Sequence, residues 1–516
     1  MARSLVPGRD SVSDSQDSFS GGLNAVADEA ALDKDQFRRG DNARLIIEGG
    51  VTKRLGTQRT SAAALAGAPV RGGYAWKKPS SIEELALCNG QLFVGTYGIP
   101  MTWIGKVGAF ASGAVPSFAG FIDGSNEVAY IADGGPLNKY DGATVSVDLA
   151  NTPNVSRIAV YNQRLYGISG NDQSIYGSAL NDGDTLGHDP SGGFEAIVRT
   201  FGDQHLTAIA AVKNSLLMWH VSGISRFTGI TQDDLDIAAG AQGITSNVGT
   251  IAPDSVVVIS NERLGIDMAL FVTERGVLSA TEAGIYPIAN PIRSILAKLS
   301  RTDFARVAAA HNRAFCEVLF YIPDVGVFVY NYALEAWSGP WTGGYTSSVT
   351  HAMWESEDED GRPIVLAGKA NGFVERIDAP RVYRDSVLSD GSGGDLFAFA
   401  VRCRRLYAKD FATEKSWKWA YVLTTTASST AALRYATSMG TGQVSLGAAG
   451  VSVDAWGGAG TMWGAGTWGG ASPLPRRVPV GGRGGWIDLT IVDDGEAEST
   501  YSALMVEGTT LGRRGS

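Results

Sequence analysis

Between about residue 80 and residue 380 the chain repeats one local pattern. An apolar strand runs into a Gly, Asp or Asn turn, and a second strand follows that often carries an aromatic residue. The segments are LCNGQLFVGTYG, EVAYIADGGPLNKYDG, RIAVYNQRLYGISGNDQSIYGSAL, AVKNSLLMWHVSGISRFTG, MALFVTERGVLSATEAGIYPI, FCEVLFYIPDVGVFVYNYALEAWSGPW and RPIVLAGKANGFVERID. Their leading strands fall near Leu92, Tyr130, Leu165, Leu217, Phe271, Leu319 and Val365, a spacing of roughly 35 to 54 residues that brackets the repeat of propeller blades. A short antiparallel meander cannot bury both of its faces alone. Arranged radially, each sheet covers its neighbour, and closing the ring removes most free edges. The expected fold is therefore all-β: a β-propeller of six to eight blades, seven units being the best count.

Composition agrees with a turn-rich chain. Gly supplies 66 of 516 residues and charged residues 19%, against typical shares of about 7% and 25%. A hydrophobic content of 44% excludes a disordered chain, and 18 prolines without a Gly-X-Y period exclude a collagen-like one. The formal charge is −10, the wrong sign for a protein that grips nucleic acid by displacing phosphate counterions. No apolar run approaches the ~20 residues of a membrane-spanning helix. The opening MARSLVPGRDSVSDSQDSFSGG offers no apolar stretch of about 7–15 residues, so no Sec-type export is expected. Cys88, Cys316 and Cys403 are far apart and read as buried thiols of a reducing cytoplasm.

The two ends differ from the middle. Residues 1–59 read as an N-terminal arm that contributes to a platform, residues 60–380 as the propeller, and residues 381–516 as a C-terminal β-sandwich-like platform domain. One short helix is expected within Ala27–Ala43, where acids come early and Arg38 and Arg39 late. A second is expected through Ile292, Ile295, Leu296, Leu299 and Phe304, which keep helical spacing. In WIDLTIV, Trp486, Asp488 and Thr490 alternate with Ile487, Leu489 and Ile491, as in a sheet buried on one face.

Catalytic patterns are missing. The five histidines are never closer than 15 positions, so no HxH or HExxH pair exists, and there is no GxSxG. Paired carboxylates of a glycosidase meet only on folding and leave no sequence trace. The acidic loops NDGDTLGHD, ESEDEDG and SDGSGGD lack EF-hand spacing and read as hairpin tips. Basic residues mix with aromatics in VRCRRLYAKDF and PRRVPVGGRGGW, a pattern of a solvated or interface face. Trp456, Trp463 and Trp468 stand among glycines in DAWGGAGTMWGAGTWGG; they suit a subunit contact better than a sugar platform. No catalytic residue, cofactor or metal is expected from these patterns.

The N-terminal segment SFSGGLNAVADEAALDKDQFRRGDNARLIIEGGVTKRLG resembles the opening of the tail nozzle (tail hub, tail tubular) proteins of short-tailed bacteriophages. Gly21, Gly22, Leu23, Asn24, Asn42, Gly49, Gly50, Arg54 and Gly56 carry the pattern. Blade-like motifs of that family are matched by IADGGPLNKYDG, with Asp133, Gly134, Tyr140, Asp141 and Gly142, by NQRLYGISGNDQSIYGSALNDGD, with Arg164 and Leu165, and by ALFVTERGV. ALEAWSGPW, with Trp337 and Trp341, and the C-terminal RRVPVGGRGGWIDLTI and VEGTTLGRR agree as well. No match to the family's fibre-docking or distal gate elements is found.

The resemblance implies a structural virion protein of the phage tail, made in the host cytoplasm. It implies not an enzyme but a homohexameric nozzle, placed below the portal and adaptor proteins, that anchors tail fibres or spikes, each subunit having a propeller and a platform made from both chain ends. Double-stranded DNA would pass through it during ejection without sequence-specific binding. The negative charge suits that role, because acidic groups on a lumen repel phosphates at short range, whereas a basic lining would hold DNA. Its subunit contacts would be of the large obligate class, roughly 2,000 Å² or more. Two alternatives stand beside it: a soluble propeller that binds or cleaves glycans, and a tail-tip or head-completion protein of a long-tailed phage.

Overall fold

A computed structural model describes residues 10–513 other than 29, 30, 80, 112, 188–190, 230–240, 262–265, 289, 348, 349, 409, 427 and 448–473. The chain divides into two compact units. One comprises residues 56–333 and 343–395, the other residues 1–55, 334–342 and 396–516.

Among the described residues the first unit is a ring of seven small antiparallel sheets. Blade 1 is Val70–Lys77, Ile82–Cys88, Gln91–Gly95 and Trp103–Gly105. Blade 2 runs from Ser117–Asp123 to Val145–Ser146, blade 3 from Arg157–Tyr161 to Phe194–Ile197, and blade 4 from Leu206–Val212 to Ala241–Thr245. Blade 5 runs from Val257–Asn261 to Ile285–Pro287. Blade 6 holds Ala308–Asn312, Glu317–Ile322 and Gly326–Asn331. Blade 7 is Thr350–Glu357, Pro363–Lys369 and Val374–Ile377, completed by Gln58–Arg59 from before blade 1. The first strands touch one another in cyclic order, and that of blade 7 touches that of blade 1, so the ring is closed.

The turns follow from their residues. Cys88 pairs with Gln91 across Asn89 (φ 51°) and Gly90 (φ 71°), and Tyr161 pairs with Arg164 across Asn162 (φ 46°) and Gln163 (φ 61°). Two left-handed residues in a two-residue loop match the twist of the strands they join. Each blade boundary is a hydrophobic layer. Leu85, Leu87, Ile131 and Tyr140 fill blades 1 and 2, Val128, Tyr130, Ile158 and Leu165 blades 2 and 3, and Tyr166, Phe194, Leu216 and Phe227 blades 3 and 4. Burying one such side chain contributes about 1.5–3 kcal/mol, so the boundaries carry the unit.

The seam between blades 7 and 1 adds polar bonds. Glu84 of blade 1 is fully buried, accepts from Trp354 Nε1 of blade 7 at 3.0 Å and accepts also from the Ser356 hydroxyl. Burial pushes its carboxyl up to about 7, against those two bonds and the charge of Lys77. A carboxyl whose folded pKa lies above its unfolded value stabilises most below the unfolded value, and that contribution is lost as pH rises through 7. The urea midpoint of the propeller is expected to fall from pH 5.5 to pH 8 by the equivalent of about 1–3 kcal/mol, and Glu84→Gln to flatten the slope. An unchanged slope in the variant would place the titration elsewhere.

The second unit is a two-sheet sandwich. One sheet has the order Ala43–Leu45, Val51–Lys53, Thr500–Arg513, Thr413–Thr426 and Leu474–Gly484, with Ser11–Gln16 also paired to Thr500–Arg513. The other joins Ala336–Trp341, Gln36–Asp41, Phe399–Cys403, Ile487–Asp493, Ala432–Thr437 and Gly440–Ser445. Between the sheets Phe399 stacks on Tyr501 at 5.7 Å.

Several expectations are corrected. Within 27–43 the described element is the strand Gln36–Asp41, because Phe37 is needed in the core beside Phe19 and its backbone pairs with Phe399–Cys403. The long helix through Phe304 is two single turns, Arg293–Leu296 and Arg301–Phe304. Ser300 leaves helical geometry at ψ 157° and its hydroxyl accepts from Asp303 N, restarting the helix. Cys88 and Cys403 are buried, but Cys316 is only half-buried.

Candidate functional site

The residues that carry the N-terminal pattern converge in the sandwich. Arg54 is fully buried. Its Nε donates to Asn42 Oδ1 at 2.9 Å, Nη1 to the Leu55 carbonyl at 2.9 Å and Nη2 to the Thr342 carbonyl at 2.8 Å. The guanidinium stacks on Phe397 at 3.7 Å and lies 5.9 Å from the ring of Trp341. Asn42 holds the left-handed φ of 53° that Asn tolerates, and its Oδ1 also accepts from Thr342 N at 2.8 Å. Its Nδ2 donates to the Ala398 carbonyl at 2.6 Å. Trp341 Nε1 donates to the Ala43 carbonyl at 2.9 Å. One side chain thus ties three distant stretches of chain together.

The neighbours of this node are steric. A Cβ on Gly22 (φ 70°) would meet the Trp337 carbonyl at 2.7 Å, so no larger residue fits against that strand. Gly21 lies against Asp35, Leu23 and Trp337 are buried, and Asn24 donates to Gln36 Oε1 at 3.0 Å while accepting from Ala27 N at 3.1 Å. In the propeller unit Gly56 sits under the backbone of Arg384, whose carbonyl a Cβ would meet at 1.8 Å.

The blade motifs shape turns and boundaries. Asp133 accepts from Ala111 N and Gly135 N beside Gly134 (φ 95°). Asp141 accepts from the backbone of Ala143 and Thr144, and Gly142 takes the left-handed position in that turn. Tyr140 donates to the Gly142 carbonyl at 2.8 Å and meets Trp76 edge-on. Arg164 donates to the Ser178 carbonyl, and Leu165 is fully buried. Trp456, Trp463 and Trp468 lie outside the described residues.

Groups with chemical potential are engaged locally. Arg402 and Arg405 both bind Asp488, and Arg404 binds Asp14, so the basic strand is matched by internal acids. Backbone bonds from Ala408 and Tyr407 and the charge of Arg404 outweigh burial and hold the Asp14 carboxyl below its ordinary value. Burial pushes the Cys403 thiol up to about 12. His220 Nε2 lies 3.0 Å from Ser225 Oγ, and His311 lies between Glu355 and Tyr332. Asp184 takes Lys139 and the Tyr130 hydroxyl, Asp358 caps its own loop, and Asp390 bonds Ser392. Among the described residues no group of three His, Cys, Asp or Glu side chains could hold a metal. No described helix is long and apolar enough to cross a membrane.

No protein-family model and no curated protein matches the chain. Among solved structures it is similar to the extracellular domain of a putative hybrid two-component system from B. thetaiotaomicron, at 11% identity and a TM-score of 0.41 over 70% of this chain and 42% of that one. A second such domain from the same organism gives 12% and 0.42 over 63% of this chain and 42% of its own. PorZ, a bacterial surface component of the type-IX secretion system of Porphyromonas gingivalis, gives 12% and 0.38 over 66% and 42%. The chain spans about two-fifths of the length of each. Similarity at that level carries no role across. The chain is a β-propeller protein with an added β-sandwich.

Proposed function

We propose that this chain is a structural subunit of a virus particle, the tail nozzle of a short-tailed bacteriophage, acting as a homohexamer through which double-stranded DNA leaves. The observation that carries this reading is the make-up of the sandwich. Both chain ends build it, as the resemblance implies of that family's platform, and Gly22, Asn42, Arg54, Trp337 and Trp341 lock it together. Side chains spent on internal bonds suit a load-carrying scaffold better than a reaction centre. Portal and adaptor proteins and tail fibres or spikes are the partners this reading requires, in the virion.

Sedimentation of the purified chain and imaging of intact particles test it. The expected result is a six-fold ring on the tail axis. An off-axis position, or another symmetry, overturns it.

A second reading, a propeller that binds or cleaves glycans, draws on the closed ring itself and on a cavity of about 250 Å³ between blades 4 and 5. Ser222, Asn247, Glu274, Arg275 and Arg301 are among its lining residues. Hydrolysis or retention of members of a glycan panel, lost on Glu274→Gln, would favour that reading over the nozzle.

A further inference from the structure

All seven blades begin with their axial strand, so the N-terminal ends of those strands share one mouth of the central channel. In blades 1, 4 and 7 the axial strand bulges at its second residue. Val70 pairs with Cys88 and Gly72 with Leu87, leaving Arg71 as the extra residue. Thr350 pairs with Lys369 and Ala352 with Gly368, leaving His351. Leu206 and Ala208 pair with His220 and Trp219, leaving Thr207. The other axial strands pair without a shift. A bulge releases one side chain from the alternation of its strand and re-aims it.

The three bulged residues fare differently. Thr207 is tied down, its hydroxyl donating to the Thr250 carbonyl at 2.7 Å. Arg71 and His351 are not: among the described residues neither makes a hydrogen bond or an ion pair. They stand on adjacent strands in contact across the seam, and Arg306, just before blade 6, lies close enough for its charge to act on His351. At the same mouth Arg157 of blade 3 does have an acid, reaching past blade 4 to Asp254 at 3.1 Å. The fold therefore neutralises one cation of this mouth and leaves another without a counter-ion.

The geometry points to an oxyanion-binding site at this mouth, formed by Arg71, His351 and Arg306 from three consecutive parts of the ring, for a phosphate or carboxylate group. A guanidinium presents paired donors that match either group, and a channel mouth with low-dielectric walls concentrates the field of a cation that, like Arg71, has no counter-ion. The surroundings of His351 agree. Burial first, then the charges of Arg71 and Arg306, hold its imidazole below the ordinary value. Other charged or titratable groups in this stretch are Asp303, 3.6 Å from Arg306, Tyr321 and Asp324 on blade 6, the buried pair Lys369 and Glu375 beside Thr350, and Cys88, paired with Val70. A bound anion reverses the balance on His351, so binding takes up a proton and tightens as pH falls.

The site stands whichever reading of function holds. Its test is calorimetric titration of the full chain with inorganic phosphate and, separately, acetate, at constant ionic strength in chloride. Saturable binding of at least one anion is expected, and for acetate, whose charge is constant over the range, roughly three- to tenfold tighter binding at pH 6 than at pH 8. Phosphate alone would assign a phosphate group, acetate alone a carboxylate. Arg71→Gln is expected to weaken binding about tenfold or more with an unchanged urea midpoint, since that side chain holds nothing else. His351→Gln is expected to keep binding and lose its pH dependence. Absence of saturable heat with both anions, or wild-type affinity in Arg71→Gln, overturns the site.

Discussion

Arg54→Met is expected to destabilise the sandwich unit by about 3–5 kcal/mol, the range found when a buried charged group is taken from its partners. The methionine fills most of the space against Phe397, so the loss falls on hydrogen bonds and not on volume. Hydrogen bonds from a charged donor contribute about 1.5–3 kcal/mol each, and a buried acceptor left without a donor costs about 1–3. The carbonyls of Leu55 and Thr342 are the acceptors at risk, while Asn42 Oδ1 keeps Thr342 N. Arg54→Lys retains the charge but not the planar fork, so it should lose less than methionine yet more than a surface exchange. The readouts are the urea midpoint of the sandwich transition and hydrogen exchange of Ala336–Trp341, the strand that Thr342 anchors. Protection of that strand surviving in Arg54→Met would show that its backbone pairing and Trp341 suffice, and would remove Arg54 from the centre of the unit.

This node also marks the limit of what the sequence discloses. Asn42 and Arg54 stand out as part of a pattern, but nothing near them indicates that their partner is Thr342, almost 300 residues away. Local chemistry is legible: Asn89–Gly90 and Asp141–Gly142 announce their turns, and each recurrent segment from Leu92 to Val365 lies in a different blade. Elements that exist only through their partners are not. Gln58–Arg59 is too short to register as a strand, and its role as the last strand of blade 7 comes from pairing with Val374–Ile377. Leu334–Thr342 reads as the continuation of the blade 6 segment, and nothing in its residues announces that Trp337 lies against Gly22 or that Trp341 donates to the Ala43 carbonyl. Phe304 keeps helical spacing with Ile292 and Leu296, yet Ser300 interrupts the helix, because a capping hydroxyl outweighs periodicity at that position. The bulges at Arg71 and His351 have no composition signature at all, since a bulge is a mismatch between two strands.

Glu375→Ala is expected to open the ring at its closure, at a similar cost of about 3–5 kcal/mol. Glu375 and Lys369 are both fully buried with their charges 3.6 Å apart. The ammonium also donates to the Gly344 carbonyl at 3.1 Å and Thr350 Oγ1 at 3.3 Å, and lies 4.7 Å from the ring of Tyr345. Glu375 Oε2 accepts from Thr57 Oγ1 at 2.8 Å, and Thr57 Oγ1 accepts from Ser386 N. The carboxylate therefore does two things: it neutralises a buried lysine, and it holds the residue that leads into Gln58–Arg59. Alanine removes both, leaving a buried cation with neutral partners and the closing strand without its carboxylate anchor, held by its backbone bonds to Val374, Arg384 and Val387. The closing strand should then become the first site of cleavage in limited proteolysis, ahead of global unfolding in urea. Glu375→Gln keeps an acceptor for Thr57 while losing the charge, so it should leave the strand protected and still lower the urea midpoint. The double change Lys369→Met with Glu375→Leu removes both charges together and should recover most of the stability, as apolar replacement of a buried ion pair often does, without restoring the bond to Thr57. If the double variant is as unstable as Glu375→Ala, the closure depends on the hydrogen bond to Thr57 and not on charge compensation.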